Sequence, residues 1–155
     1  MNPTFMRRAI ALAAEHSRSG VNGPFGAVVV MQDRIIGEGW NRVVEDNDPS
    51  AHAEIVAIRA ACRQSSSFAL PQAVLYASCE PCPMCMAAIY WARIPKVVYA
   101  CSRDDAEAIG FDDAHIYEEI AMAPEHRQVE MIRCLEQEGR QVFAQWRANS
   151  HRVMY

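Results

Sequence analysis

The chain carries His52-Ala53-Glu54 and, further along, Pro81-Cys82-Pro83-Met84-Cys85. One imidazole and two thiolates offer a zinc ion three donors and leave the fourth tetrahedral position open. That is the ligand count of a catalytic site rather than a structural one. Glu54 then stands beside the metal as a carboxylate able to move protons. Cys82 and Cys85 share one face if they lie on a helix. Pro81 marks the start of that helix, where unpaired N–H groups and the dipole favour thiolate over thiol. His52 and Glu54 would point to different sides in mid-helix. They serve one site only if His52 sits at the helix start, before the backbone turns helical, and Asp48-Pro49-Ser50 supplies a start signal there.

Other readings of the sulfurs are weaker. Cys79, Cys82 and Cys85 follow one another with two-residue spacers, as in iron–sulfur ligation, but the next ligand of such a run falls at Ile89. A zinc ribbon needs a second close pair downstream, and a thioredoxin-like site has no need of the upstream His-x-Glu. Cys79 reads as the end of a buried strand. Cys62, Cys101 and Cys134 read as small buried apolar side chains.

The elements that must position these groups follow from pattern. Asn2-Pro3 is a cap followed by proline at the first helical position, and Phe5, Met6, Ala9, Ile10 and Ala13 recur at helical spacing over residues 3–18. Residues 27–31 and 34–44, separated by Gln32-Asp33, predict an antiparallel hairpin. Gly37 and Gly39 in its second strand predict a bulge or a close backbone approach. A second helix is expected over 52–65, with Ile55, Ile58 and Cys62 on its apolar stripe and Arg59 and Arg63 flanking it. Residues 73–77 and 96–100 predict buried strands joined through a helix over 82–92, a parallel crossover. Both ligand sets thus fall at helix starts beyond a sheet edge, where open α/β sheets place their crevice. The tail is less patterned: 103–109, 114–122 and 135–149 suit helices, and 129–134 suits extended chain. The whole predicts an α/β sandwich.

With 155 residues, 51% of them hydrophobic, the chain is long enough for one well-filled domain. The expectation is a soluble, cytoplasmic protein, because no apolar run approaches membrane-spanning length and no export signal is visible. The net charge of −4 and the scattered arginines argue against nucleic acid and for a small substrate.

Longer blocks carry a family resemblance. Gly23-Pro24-Phe25-Gly26-Ala27-Val28-Val29-Val30, Asn47-Asp48-Pro49-Ser50-Ala51-His52-Ala53-Glu54 and Ser78-Cys79-Glu80-Pro81-Cys82-Pro83-Met84-Cys85 resemble the cytidine-deaminase superfamily of zinc enzymes. Ala88-Ile89-Tyr90-Trp91-Ala92-Arg93, Gly110-Phe111-Asp112-Asp113 with Ile116-Tyr117, and the ending on Tyr155 are more selective and resemble bacterial guanine deaminases. The resemblance implies a three-layer α/β/α fold with a mixed five-stranded sheet in a single domain over 1–155. It implies one Zn2+ per subunit on His52, Cys82 and Cys85, with Glu54 as proton shuttle. It places the base against Asn41, Ala53 and Asp113, with Phe25 and Trp91 packed near it and Tyr155 closing the site. It further implies a homodimer whose segment 135–155 exchanges between subunits, hydrolysing free guanine to xanthine and ammonia.

The chemistry of the base agrees in part. Guanine offers a donor edge at N1–H and its exocyclic amine, which a carboxylate such as Asp113 accepts. Adenine lacks that proton, and sites built to bond a group reject analogues without it. Alternatives stay open. Asp112 or Asp113 also suits a cap on the following helix, Trp91 a core position, Phe25 an anchor for its turn and Tyr155 a frayed end. The nearest rival to guanine is adenosine in transfer RNA, which calls for a concentrated basic groove, or cytosine. A guanine-like aminotriazine is an alternative as a secondary substrate, and a non-catalytic zinc module is the alternative from another class.

Overall fold

The protein is described by a computed structural model covering residues 2–155. A first compact unit runs to Ala114 and a second spans His115–Tyr155.

The first unit begins with α1 (Pro3–Ser17), where the Asn2 side chain accepts from Thr4 N–H and Pro3 occupies the first turn. The hairpin β1 (Gly26–Met31) and β2 (Arg34–Trp40) turns through Gln32 and Asp33, both left-handed at φ 51° and 56°. Positive φ at both central residues matches the right-handed twist of the flanking strands. Next come α2 (Val43–Asp46), α3 (Ala53–Ser65), β3 (Val74–Cys79), α4 (Pro83–Trp91), β4 (Lys96–Cys101) and α5 (Arg103–Glu107).

The sheet order is β2-β1-β3-β4, with β1 antiparallel to both neighbours and β3 parallel to β4. Side chains alternate across it. Ala27, Val29, Leu75 and Ala77 join a core with Ala57, Ala61 and Ile89 of α3 and α4. Val28, Val30 and Tyr76 join a second core with Phe5 and Leu12 of α1. Helices therefore cover both faces, giving the α/β/α layering. Outside the cores, Arg8 reaches from α1 to the Glu38 carboxylate on β2 through two bonds of 2.8 and 2.7 Å. That contact holds the carboxyl of Glu38 below its usual range.

Four expectations are corrected. The sheet has four strands, not five. Residues 129–134 join no ladder among the described residues, and an extended segment becomes a strand only where an edge exchanges its backbone hydrogen bonds. The second hairpin strand stops at Trp40 rather than Val44. There the chain coils into α2, tied by Arg42 to Asp46 at 2.8 Å and ended by left-handed Asn47. β4 is mostly exposed rather than buried, because it is the edge strand. Cys101, at its end, is exposed with it, as is Cys134, while Cys62 is half-buried at the rim of α3.

Of the two readings of Gly37 and Gly39, the close approach holds for both, while the bulge falls on Ile36 beside Gly37, left unpaired where the ladder slips between Val29 and Val30. A Cβ on Gly39 would lie 2.3 Å from the Ala53 carbonyl and 2.6 Å from Ala57 N, and one on Gly37 would lie 2.3 Å from the Ala57 carbonyl. Backbone cannot yield as a flexible side chain does, so α3 rests on β2 only where no Cβ intervenes. Gly39→Val is expected to cost about 3 kcal/mol or more in urea unfolding. Gly139→Ala, within the helix Glu136–Ala148 and in open space in the single chain, should fall within about 1 kcal/mol of wild type. Equal losses in the two variants would show that the contact is unimportant.

The second unit holds α6 (Ala114–Ala121, which starts at the boundary), a 3-10 turn at Pro124–His126 and α7 (Glu136–Ala148). None of its described residues is buried in the single chain. Val142, Phe143 and Trp146 of α7 are exposed, as are Val153, Met154 and Tyr155. Among the described residues no helix is long and apolar enough to cross a membrane.

Candidate metal centre and active site

His52 is the N-cap of α3, with extended backbone at φ −70°, ψ 155°. The helix begins one residue later, so the imidazole and the Glu54 carboxylate escape the angular separation of mid-helix positions. Cys82 is likewise the extended N-cap of α4, Pro83 fills the first turn and Cys85 follows on the helix. Asp48 shapes the approach to α3, accepting from Ser50 N–H at 2.8 Å and from its hydroxyl at 2.7 Å.

The two helix starts converge. His52 Nδ1 lies 3.5 Å from Cys82 Sγ and 3.6 Å from Cys85 Sγ. All three donor atoms fall within 4.8 Å of one another, the one such group among the described residues. A tetrahedron with zinc bonds of about 2.0–2.3 Å has edges of roughly 3.3–3.8 Å, and two thiolates with an imidazole are donors zinc accepts. The residues therefore fit zinc in both geometry and chemistry. Glu54 Oε2 accepts from Cys85 Sγ at 3.5 Å, which places the carboxylate beside the cluster.

The electrostatics match. Burial pushes the Glu54 carboxyl up to about 6, into the range of a base that both takes and returns a proton near neutrality. A hydrogen bond from Cys85, helped by His52, draws the Cys82 thiol down to about 4. Cys85 is raised in turn, by that bond to Cys82 and by burial. His52 is raised by its bond to Cys82.

The other predicted site residues lie in loops and on helices. Asn41 is buried, its backbone N–H donates to the Phe25 carbonyl at 3.0 Å, and its side-chain Oδ1 accepts from Val43 N–H at 3.3 Å. Ala53 is buried in the first turn of α3. Phe25 is partly buried and meets the edge of Phe111. Asp113 is half-buried, its carboxyl raised by burial and by the charge of Cys82. Trp91 ends α4 and is exposed, at the end of the helix away from Cys82. Tyr155 is exposed in the second unit.

Some positioning groups had no role assigned from the sequence. Ser78 Oγ accepts from Gly26 N–H at 2.9 Å inside the protein, tying the start of β1 to β3 just before the cysteine loop. Glu80 N–H donates to the Cys101 carbonyl at 2.9 Å, and its carboxylate accepts from Arg103 N–H at 3.3 Å, holding that loop to the end of β4. Glu80 stands in the cysteine motif and Ser102-x-x-Asp105 reads as a capping box. Their meeting depends on the parallel register of β3 and β4.

These features define a zinc-dependent hydrolytic deaminase site, and the chain belongs to the family of the cytidine and deoxycytidylate deaminase zinc-binding region, whose profile matches residues 1–101. Within it, the chain is 46% identical to the guanine deaminase of Bacillus subtilis over 98% of its own length and 97% of that protein's. The crystal structure of that guanine deaminase superposes with a TM-score of 0.95, covering 100% of this chain and 99% of the other. The guanine deaminase of Nitrosomonas europaea superposes with a TM-score of 0.66 at 33% identity, over 71% of this chain and 64% of that one. A transfer-RNA-specific adenosine deaminase of Haemophilus influenzae is 42% identical over 70% of this chain and 65% of its own.

Proposed function

We propose that the chain hydrolyses free guanine to xanthine and ammonia. The observation that carries this reading is the similarity to a guanine deaminase over 98% of this chain and 97% of that protein, whereas the transfer-RNA deaminase aligns over 70% of the chain. Asp113, half-buried just before α6, is a carboxylate able to accept from guanine N1–H and the exocyclic amine.

His52, Cys82 and Cys85 would hold the zinc, and bound there it would supply the Lewis acidity that makes a water nucleophilic near neutral pH. Glu54 takes a proton from the attacking water and passes it to the ring nitrogen beside the carbon under attack. It then gives the water's second proton to the exocyclic amine, so that ammonia departs and the oxygen stays as the carbonyl. One water is consumed and one ammonia released, with no change of oxidation state. Asn41 and Asp113 orient the base, the Ala53 backbone lines its edge, and Phe25 packs against the ring.

The reading extends to a cytoplasmic homodimer in which the two units act as one deaminase domain. Segment 135–155 crosses to a partner and Tyr155 closes a site. A unit of this size with no buried residue lacks a core of its own, and the apolar faces of α7 and the terminus need covering.

The test is ammonia release from guanine, cytosine, adenine, guanosine and a transfer RNA. Release from guanine alone or foremost is the expected result. Release from cytosine or the RNA but none from guanine would overturn the substrate. For the tail, deleting residues 153–155 is expected to lower kcat/KM about tenfold or more while moving Tm by under about 2 °C. Unaltered kinetics would refute closure by Tyr155.

A further inference from the structure

We propose that Phe111 is a positioning residue, whose ring pins the loop carrying Asp113 to the Gly23–Phe25 turn and so sets the spacing of the two groups that hold the base. The proposal rests on the deaminase reading above.

The loop is tied at one end by backbone and at the other by a side chain. Beyond α5, Gly110 is left-handed at φ 96°, its N–H donates to the Glu107 carbonyl at 2.8 Å, and Phe111 N–H donates to the Ala106 carbonyl at 3.0 Å. At the far end, Asp112 Oδ1 accepts from Ala114 N–H at 2.8 Å. These bonds set where the loop starts and stops, but not how far it stands from the crevice. The ring of Phe111 sets that distance. It meets Phe25 edge to face, with centroids 4.9 Å apart and planes at 88°. This is the geometry aromatic quadrupoles favour.

Gly23 completes the contact. A Cβ there would lie 3.1 and 3.2 Å from Phe25 ring atoms and 3.3 Å from Phe111 Cζ. The turn itself is tight, with Phe25 N–H donating to the Gly23 carbonyl at 2.8 Å. Because Asn41 N–H donates to the Phe25 carbonyl at 3.0 Å, a continuous line of contacts runs from Asn41 through Phe25 and Phe111 to the segment holding Asp113. Phe111 is 46% exposed, so its ring adds little to the core. Its effect is on distance, not on the bulk of the fold.

Phe111→Ala and Gly23→Ala separate these roles. One removes the pin and the other pushes both rings aside. Each is expected to raise KM for guanine about three- to tenfold, with kcat within about twofold of wild type. Zinc content and Tm should stay near wild type. The double variant should show less than the product of the single effects, because both act on one contact. The Kd of xanthine by calorimetry gives a readout without turnover and should weaken by the same factor. Unchanged KM and Kd in both variants would overturn the inference, as would a joint loss of kcat, zinc and Tm. Wild-type protein that neither deaminates guanine nor binds xanthine would instead overturn the guanine reading, and this inference with it. If the wild type deaminates another base of the panel, KM for that base becomes the readout, with the same criteria.

Discussion

Glu54→Gln is expected to lower kcat for guanine by about a thousandfold or more, with stoichiometric zinc retained. The amide keeps the size of the side chain and its place beside Cys85, but it can neither take a proton from water nor return one. His52, Cys82 and Cys85 are untouched, so the metal stays. KM should change little, because the base is held by other groups. A variant with full activity would remove Glu54 from the mechanism, and a variant without zinc would make it a ligand instead.

The same substitution has a pH signature in zinc-free protein. Glu54 is raised from 4.5 to about 6 by burial. The folded state therefore binds its proton more tightly than the unfolded state does. The stability this group contributes is fully present below pH 4.5 and is lost as the pH rises through about 6, because the folded protein must then bury the charge. Over that window the Gln variant should gain on the wild type, by up to about 2 kcal/mol. Parallel pH–stability curves for the two proteins would contradict the burial effect.

Removing the metal is the second large effect. Chelation should abolish turnover, and titrating zinc back should restore it. Stability should fall as well, because zinc binds the folded arrangement of three donors drawn from two helix starts. With free zinc a thousandfold above Kd the contribution is about 4 kcal/mol, or roughly 10 °C in Tm for a domain of this size. Cys85→Ala should give the same inactive, metal-poor protein, since Cys85 Sγ is one of the three donor atoms and its side chain is fully buried. Elemental analysis showing iron, or no stoichiometric metal, would undo the assignment.

Much of the centre was legible because it is local. His52 and Glu54 are two apart, as near neighbours in any fold, and their use together demanded an extended backbone at His52, which α3 supplies by starting one residue later. Cys82, Pro83 and Cys85 required a helix start, and α4 begins there. Gly37 and Gly39 announced a close approach without saying to what. The partner is the backbone of α3 beneath the ligand-bearing turn. The edge position of β4, and with it the exposure of Cys101, was not legible. A continuous apolar run reads alike in a central strand and in an edge strand.

By itself the sequence determined the donor set, a carboxylate two residues from its imidazole and the helix starts that aim them, because these depend on spacing over a few residues and on the chemistry of each side chain. Tertiary structure decided what spans many residues: a four-stranded ladder, Glu80 tied to Cys101 and Arg103, and Phe25 meeting Phe111 between Asn41 and Asp113. The reason is that register and helix docking follow from the summed burial of whole faces. No short stretch of residues encodes which distant partner will complete such a face.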